Sequence, residues 1–407
     1  MLTIHQAPGG ASRKSRSSIG LAVAGGGPVG AVYELGALRA LEEAIEGLSL
    51  HQLDVYVGVS AGAFLAASLA NRIPCAEQCR VFMGLESAEV RFTPEQFLRP
   101  AWNEYLKRVT RVPRILLDAL LDIARNPSHA STAELMTQLG KALPSGIYDN
   151  ESIHQFLEET FHTAGRGNRF SDLDCQLFVV AVDLDNGTPM RFGAVGHRDV
   201  PISRAVQASA ALPGLYPPVL IDGRYYVDGA LLRTLHASTA LDQGVDLLLA
   251  INPLVPYGSG ERGRLPEVPP RQLISGGLPL ILSQTFRALI QSRMQVGFDR
   301  YRSSHPNADL LLMEPDRDDE AIFFANIFSY ASRNALCEHA WQATRQDLLA
   351  RADELEPLLA RYGMRLRRDW LAGNASLVDS LGSGARSHAR VSRKLAAALD
   401  ALEERLG

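Results

Sequence analysis

Leu53-Asp54-Val55-Tyr56-Val57-Gly58-Val59-Ser60-Ala61-Gly62 runs from a short apolar, β-branched segment through a glycine-flanked serine into an alanine-rich stretch that continues to Ala70. This order predicts a strand over residues 53–57, a turn at Gly58 and a helix from Ala61. The same succession stands earlier in the chain. Ile19-Gly20-Leu21-Ala22-Val23-Ala24 reads as a buried strand and Gly25-Gly26-Gly27-Pro28-Val29-Gly30 as a glycine turn, after which Val32, Leu35, Leu38 and Leu41 recur at helical spacing. Two strand–turn–helix units in series predict an α/β fold with a mainly parallel central sheet. Further strands are expected at 176–182 and, after the turn Asp185-Asn186-Gly187, at 189–192. Residues 219–221 and 225–227 read as a hairpin about Asp222-Gly223, and 247–251 and 310–313 as the last strands. Residues 75 to about 165 interrupt this pattern with segments rich in leucine, tryptophan and arginine, read as a helical insertion. Beyond about residue 316 the chain reads as helix, with a break at Gly382-Ser383-Gly384 and a last helix carrying Val391, Leu395, Leu399, Leu402 and Leu406.

Composition bounds the function classes. With 46% hydrophobic and 21% charged residues among 407, the chain is globular, and no apolar run approaches the ~20 residues of a membrane-spanning helix. The first eighteen residues carry Arg13, Lys14 and Arg16 without an apolar core. They read as a flexible tail rather than a secretory signal, which places the protein in the cytoplasm. Cys75, Cys79, Cys175 and Cys337 are too few and scattered for a disulfide framework or a zinc site, so no metal is expected. A net charge of -4 gives no global attraction to nucleic acid.

Gly58-Val59-Ser60-Ala61-Gly62 is G-x-S-x-G between an expected strand and an expected helix, the context in which a serine hydroxyl projects above a sheet as a nucleophile. The bland alternative is a glycine-rich turn with an incidental serine. Gly25 to Gly30 also satisfies G-x-G-x-x-G, but a dinucleotide site wants an acidic residue closing the second strand, where Gly58-Val59-Ser60 stands instead. Adjacent glycine amides beside Ser60 suit an oxyanion hole better. A serine needs a base, and Asp228 ends the expected strand 225–227, whereas Asp222 belongs to a hairpin turn. Asp228 could equally cap the next helix, and His236 would complete a Ser-Asp-His order.

Four blocks now stand in one order: the glycine loop Gly25 to Gly30, the elbow Gly58 to Gly62, Ala208-Ser209-Ala210-Ala211-Leu212-Pro213 with Tyr216-Pro217-Pro218, and Asp228-Gly229-Ala230. Together they resemble the patatin-like phospholipase family over roughly residues 19–315. The resemblance implies a three-layer α/β fold and a Ser-Asp dyad that needs neither histidine nor a cofactor, acting on acyl esters of phospholipids or neutral glycerides. Ser60 and Asp228 match the catalytic positions, and Gly25, Gly26 and Gly27 the oxyanion loop; Ser209 is expected to pack near the dyad without a chemical role. The chain then divides into a tail (1–18), a catalytic domain (19–315) with the insertion, and a helical C-terminal extension (316–407). One departure concerns the substrate: many members carry arginine or lysine where this chain has Val29, which weakens the case for a phosphate-bearing lipid. The stretch 99–117 sets Arg99, Lys107, Arg108, Arg111 and Arg114 against Glu104 alone, among Trp102, Tyr105 and Ile115, and reads either as a lid that meets a membrane or as a solvated face. Arg361, Arg365, Arg367 and Arg368 beside Trp370 invite the same reading. The expected partner is lipid at a membrane or droplet surface, with the last helix a packing or homodimer face. The rival reading is a lipid-binding protein that kept the fold and lost catalysis.

Overall fold

The computed structural model describes residues 1–7, 17–85, 97, 99–101, 105, 145–258, 275, 277–324 and 330–382. The strands are β1 (Leu2–His5), β2 (Ile19–Val23), β3 (Ile45–Glu46), β4 (Val55–Val59), β5 (Gln176–Asp183), β6 (Thr188–Phe192), β7 (Val219–Ile221), β8 (Arg224–Asp228), β9 (Leu247–Ile251), β10 (Asp309–Met313) and β11 (Arg365–Leu366). Nine of them form one sheet in the order β1-β10-β9-β2-β4-β5-β8-β7, with β6 also paired to β5. From β10 to β5 the neighbours are parallel. β1, β6, β7 and β8 are added antiparallel.

Both faces of the parallel core are covered, which is why its strands are apolar runs rather than alternating ones. Leu21, Val23 and Tyr56 face one layer, with helices α1 (Gly27–Ala44), α2 (Ala61–Ala70) and α3 (Cys75–Phe82). Ala22, Val55, Val57 and Val59 face the other, against the helix Ala237–Leu241 and, through Met294 and Tyr301, the helix Gly277–Ser304. The result is a three-layer α/β fold with a mainly parallel sheet.

The C-terminal helices pack into the first layer. The helix Tyr330–Ala350 lies so close to α1 that a Cβ on Gly36 would stand 2.4 Å from the Cys337 carbonyl oxygen. Trp341, fully buried, donates its indole N–H to Glu43 at 2.9 Å. The same region is not helical throughout, because β11 pairs antiparallel with β3.

The first residues differ from the flexible tail expected for 1–18. Leu2 to His5 pair with Met313 to Leu310 as β1, which closes the β10 edge of the sheet and buries Leu2; an exposed edge of apolar β10 would otherwise offer unpaired backbone groups. Residues 8–16 lie outside the described part. The strand expected over 53–57 is shifted to Val55–Val59 and therefore runs directly into Ser60. Both hairpins form as expected. Asp222 (φ 48) and Gly223 (φ 78) supply the two left-handed positions of the tight turn. Of the insertion, α3 and the helix Glu151–Phe161 are described, while most of the basic stretch 99–117 and the last leucine-striped helix fall outside the described residues. Of the cations around Trp370, Arg361 pairs with Asp309, Arg365 with Glu46 and Arg368 with Asp353 and Glu356, while Arg367 donates to the Glu43 carbonyl and lies over the Trp370 ring.

Candidate active site

Ser60 stands between β4 and α2 at φ 54 and ψ -125, a backbone conformation few non-glycine residues adopt. The two flanking glycines are demanded by space. A Cβ on Gly62 would lie 2.3 Å from the Ala24 carbonyl oxygen, and one on Gly58 would lie 2.4 Å from the Ala63 Cα. Any larger residue at either position would push α2 off the sheet.

Strand register brings the acid to the serine. Val59 pairs with Val180, and Ala181 pairs with Asp228, so Ser60 and Asp228 lie at one level on either side of β5. The Ser60 hydroxyl donates to Asp228 Oδ2 at 2.6 Å, and the Ala230 N–H donates to Oδ1 at 2.8 Å. Asp228 thus caps the short turn after β8 with one oxygen and accepts the serine hydroxyl with the other, so its capping role does not keep it from Ser60. Both side chains are buried. Burial pushes the Asp228 carboxyl up to about 6, although the Ser60 hydroxyl and the Ala230 amide each favour its charged form.

Ser209, expected only to pack, makes two hydrogen bonds at the elbow. It accepts the Ser60 backbone N–H at 2.8 Å and donates to the Val180 carbonyl at 2.5 Å. Two residues on, the Ala211 carbonyl accepts the Asp228 N–H at 3.0 Å, so the helix Ile202–Ser209 and its exit hold both members of the pair. The available signal was a lone serine inside an alanine block: a buried hydroxyl needs a partner.

The glycine loop requires one correction. Gly25 was expected to offer its amide to an oxyanion, but that N–H donates to the Thr234 carbonyl at 3.2 Å. Its smallness matters instead, since a Cβ there would meet those of Ser60 and Ala230 at 3.0 Å. Gly26 and Gly27 open α1, where amides have no carbonyl a turn back to bond, and both line the cavity beside Ser60. Ala61, the first residue of α2, lines it as well. His236 is not brought to the pair: it sits left-handed (φ 46) before the helix Ala237–Leu241, away from the cavity lining. Burial lowers it to about 4, so it is neutral at ordinary pH.

Ser60 and Asp228 open onto a cavity of about 730 Å³ with an overwhelmingly apolar wall. On one side Phe64 stacks on Phe156 at 5.8 Å and meets Phe82 and Phe97 edge-on at 5.7 and 6.0 Å. Ile153, Val206, Leu215 and Tyr216 continue that wall. On the other side stand Leu254, Phe286, Ile290 and two cations, Arg287 and Arg333. Among the described residues no group of three histidines, cysteines or carboxylates is placed to hold a metal ion.

Known structures similar to this chain include VipD from Legionella pneumophila, at 18% identity and a TM-score of 0.30, covering 64% of this chain and 54% of that one. The chain therefore spans about half of VipD. Full-length ExoU in complex with SpcU, from the type III secretion system of Pseudomonas aeruginosa, matches at 17% identity and a TM-score of 0.28 over 95% of this chain and 70% of that one. A second structure of the type III effector ExoU matches at 17% and 0.27 over 88% and 69%. The family model described as patatin-like phospholipase matches residues 21–241, which include the glycine loop, Ser60, Ser209 and Asp228. That match covers more than half of the sequence, and the chain belongs to the patatin-like phospholipase family.

Proposed function

We propose that the protein is a serine lipid acyl hydrolase in which Ser60 is the nucleophile and Asp228 the base. The observation that carries this reading is the direct 2.6 Å hydrogen bond from the Ser60 hydroxyl to a buried Asp228 oxygen at the wall of a large apolar cavity. As the hydroxyl attacks an ester carbonyl, its proton passes to Asp228, which then returns it to the departing alcohol oxygen. The acyl chain stays on Ser60. Asp228 next takes a proton from the water that attacks the acyl-enzyme and returns it to the Ser60 oxygen as the Ser60–acyl bond breaks, which releases the fatty acid and restores both residues. Negative charge on the carbonyl oxygen meets the amides of Gly26 and Gly27 and of Ala61, the residue after the nucleophile. An ordinary aspartate at ~3.9 is a poor proton acceptor, and burial to about 6 makes Asp228 a better one.

The phenylalanine-lined side suits an acyl chain, which gains ~0.8 kcal/mol per buried methylene. At the rim Ile147, Leu212 and Phe286 are 49%, 38% and 50% exposed, an apolar lip suited to contact with a lipid surface. No helix among the described residues is long and apolar enough to cross a membrane, so such contact would be peripheral. The test is fatty-acid release from mixed phospholipid and diacylglycerol vesicles. Wild type should release acid and Ser60→Ala should not, whereas equal release by both would remove the proposed nucleophile.

A further inference from the structure

The two sides of the cavity differ in charge. Across the C-terminal ends of the strands the order is Val255 beyond β9, Gly26 and Gly27 beyond β2, Ser60 beyond β4, and Asp228 ending β8. The glycine loop therefore has Asp228 on one flank and, on the other, Arg287, which donates from Nη1 to the Val255 carbonyl at 3.2 Å. Arg287 is only 9% exposed, yet among the described residues no carboxylate pairs with it. Its Nε is buried without a hydrogen-bond partner, and its guanidinium lies 5.1 Å from the centre of the Phe323 ring. Arg333, on the helix Tyr330–Ala350, is 6% exposed and lines the same side. The Arg287 charge, buried with no carboxylate beside it among the described residues, is costly unless a ligand supplies the anion. Burial lowers the Arg287 guanidinium only to about 10, so it remains charged at neutral pH.

Resting on the reading of Ser60 as an acyl-transfer nucleophile, we propose that Arg287, assisted by Arg333, forms a phosphate subsite that selects lipids with an anionic phosphate headgroup over neutral glycerides. A phosphodiester oxygen would meet the Arg287 guanidinium where it lines the cavity, in a charge-assisted hydrogen bond. The acyl chain would run to the phenylalanine side, leaving the ester carbonyl at Ser60 between them. Arg287 acts in binding and selection and takes no part in proton transfer.

The experiment follows hydrolysis of a neutral short-chain ester by the wild-type protein in the presence of dodecyl phosphate, dodecanol or inorganic phosphate. Dodecyl phosphate should inhibit at a concentration about 10- to 100-fold below dodecanol, the range set by a charge-assisted hydrogen bond. Inorganic phosphate alone should not compete. Arg287→Gln should bring the two dodecyl compounds together, and Arg287→Lys should restore part of the gap. The ratio of phosphatidylglycerol to diacylglycerol hydrolysis should fall in parallel. Equal inhibition by phosphate and alcohol in wild type overturns the subsite, and this arm does not depend on how any variant folds. Competition by inorganic phosphate at equal concentration assigns the site to free phosphate and overturns the headgroup reading. No hydrolysis of any ester by folded wild type overturns instead the nucleophile reading on which the subsite rests.

Discussion

Replacing Asp228 by asparagine should make the protein inactive and, at alkaline pH, more stable. The carboxyl titrates at about 6 in the fold because it is buried, and at ~3.9 in an unfolded chain. Below pH ~3.9 both states are protonated and burial carries no charge penalty. As pH rises through about 6, the folded carboxylate ionises in a low-dielectric site, and ~3 kcal/mol of stability is lost by pH 8. Asp228→Asn does not titrate, while its side-chain oxygen can still accept the Ala230 N–H that Asp228 accepts at 2.8 Å. The melting temperature of the variant relative to wild type should therefore rise between pH 4.5 and pH 8 by ~3 °C for a chain of this size. Thermal unfolding by near-ultraviolet circular dichroism at both pH values measures it. A difference between variant and wild type that is the same at pH 4.5 and pH 8 would refute the buried, strained carboxylate.

Three further outcomes follow from the same geometry. The kcat/KM of wild type on a soluble ester should fall about tenfold per pH unit below about 6, as Asp228 takes up a proton and ceases to be a base; a flat profile from pH 4.5 to 8 would contradict that role. Ser209→Ala leaves the Ser60 N–H and the Val180 carbonyl without the partner they share, and should cost ~1–3 kcal/mol of stability. It should lower kcat more than it raises KM, which steady-state kinetics separates. Gly62→Ala sets a Cβ 2.3 Å from the Ala24 carbonyl oxygen and should prevent accumulation of folded protein, checked by gel filtration and circular dichroism.

The parallel core was legible because buried strands announce themselves as short apolar runs: residues 19–24, 247–251 and 310–313 could be read without tertiary information. The hairpin at Asp222-Gly223 was legible from turn chemistry. β1 was not, because four residues ahead of a polar stretch show no periodicity, and only pairing with β10 makes Leu2 a core residue. At the candidate site, flanking glycines and strand ends single out Ser60 and Asp228 in the sequence, and the fold adds the hydrogen bond between them. The errors arose where function depends on which backbone group is already engaged. Gly25 looks like Gly26 in sequence, and only the Thr234 carbonyl tells them apart. The hydrogen bonds of Ser209, expected only to pack nearby, and the burial of Arg287 were not legible for a related reason: the partners of one and the surroundings of the other come from segments far away in the chain.

The most direct test of the account is covalent labelling by a fluorophosphonate, with the adduct located by peptide mass spectrometry. The account predicts a single adduct on Ser60, absent from Ser60→Ala, strongly slowed in Asp228→Asn, and retained in His236→Ala. Labelling at another residue, or labelling of Asp228→Asn at the wild-type rate, would contradict a nucleophile activated by Asp228.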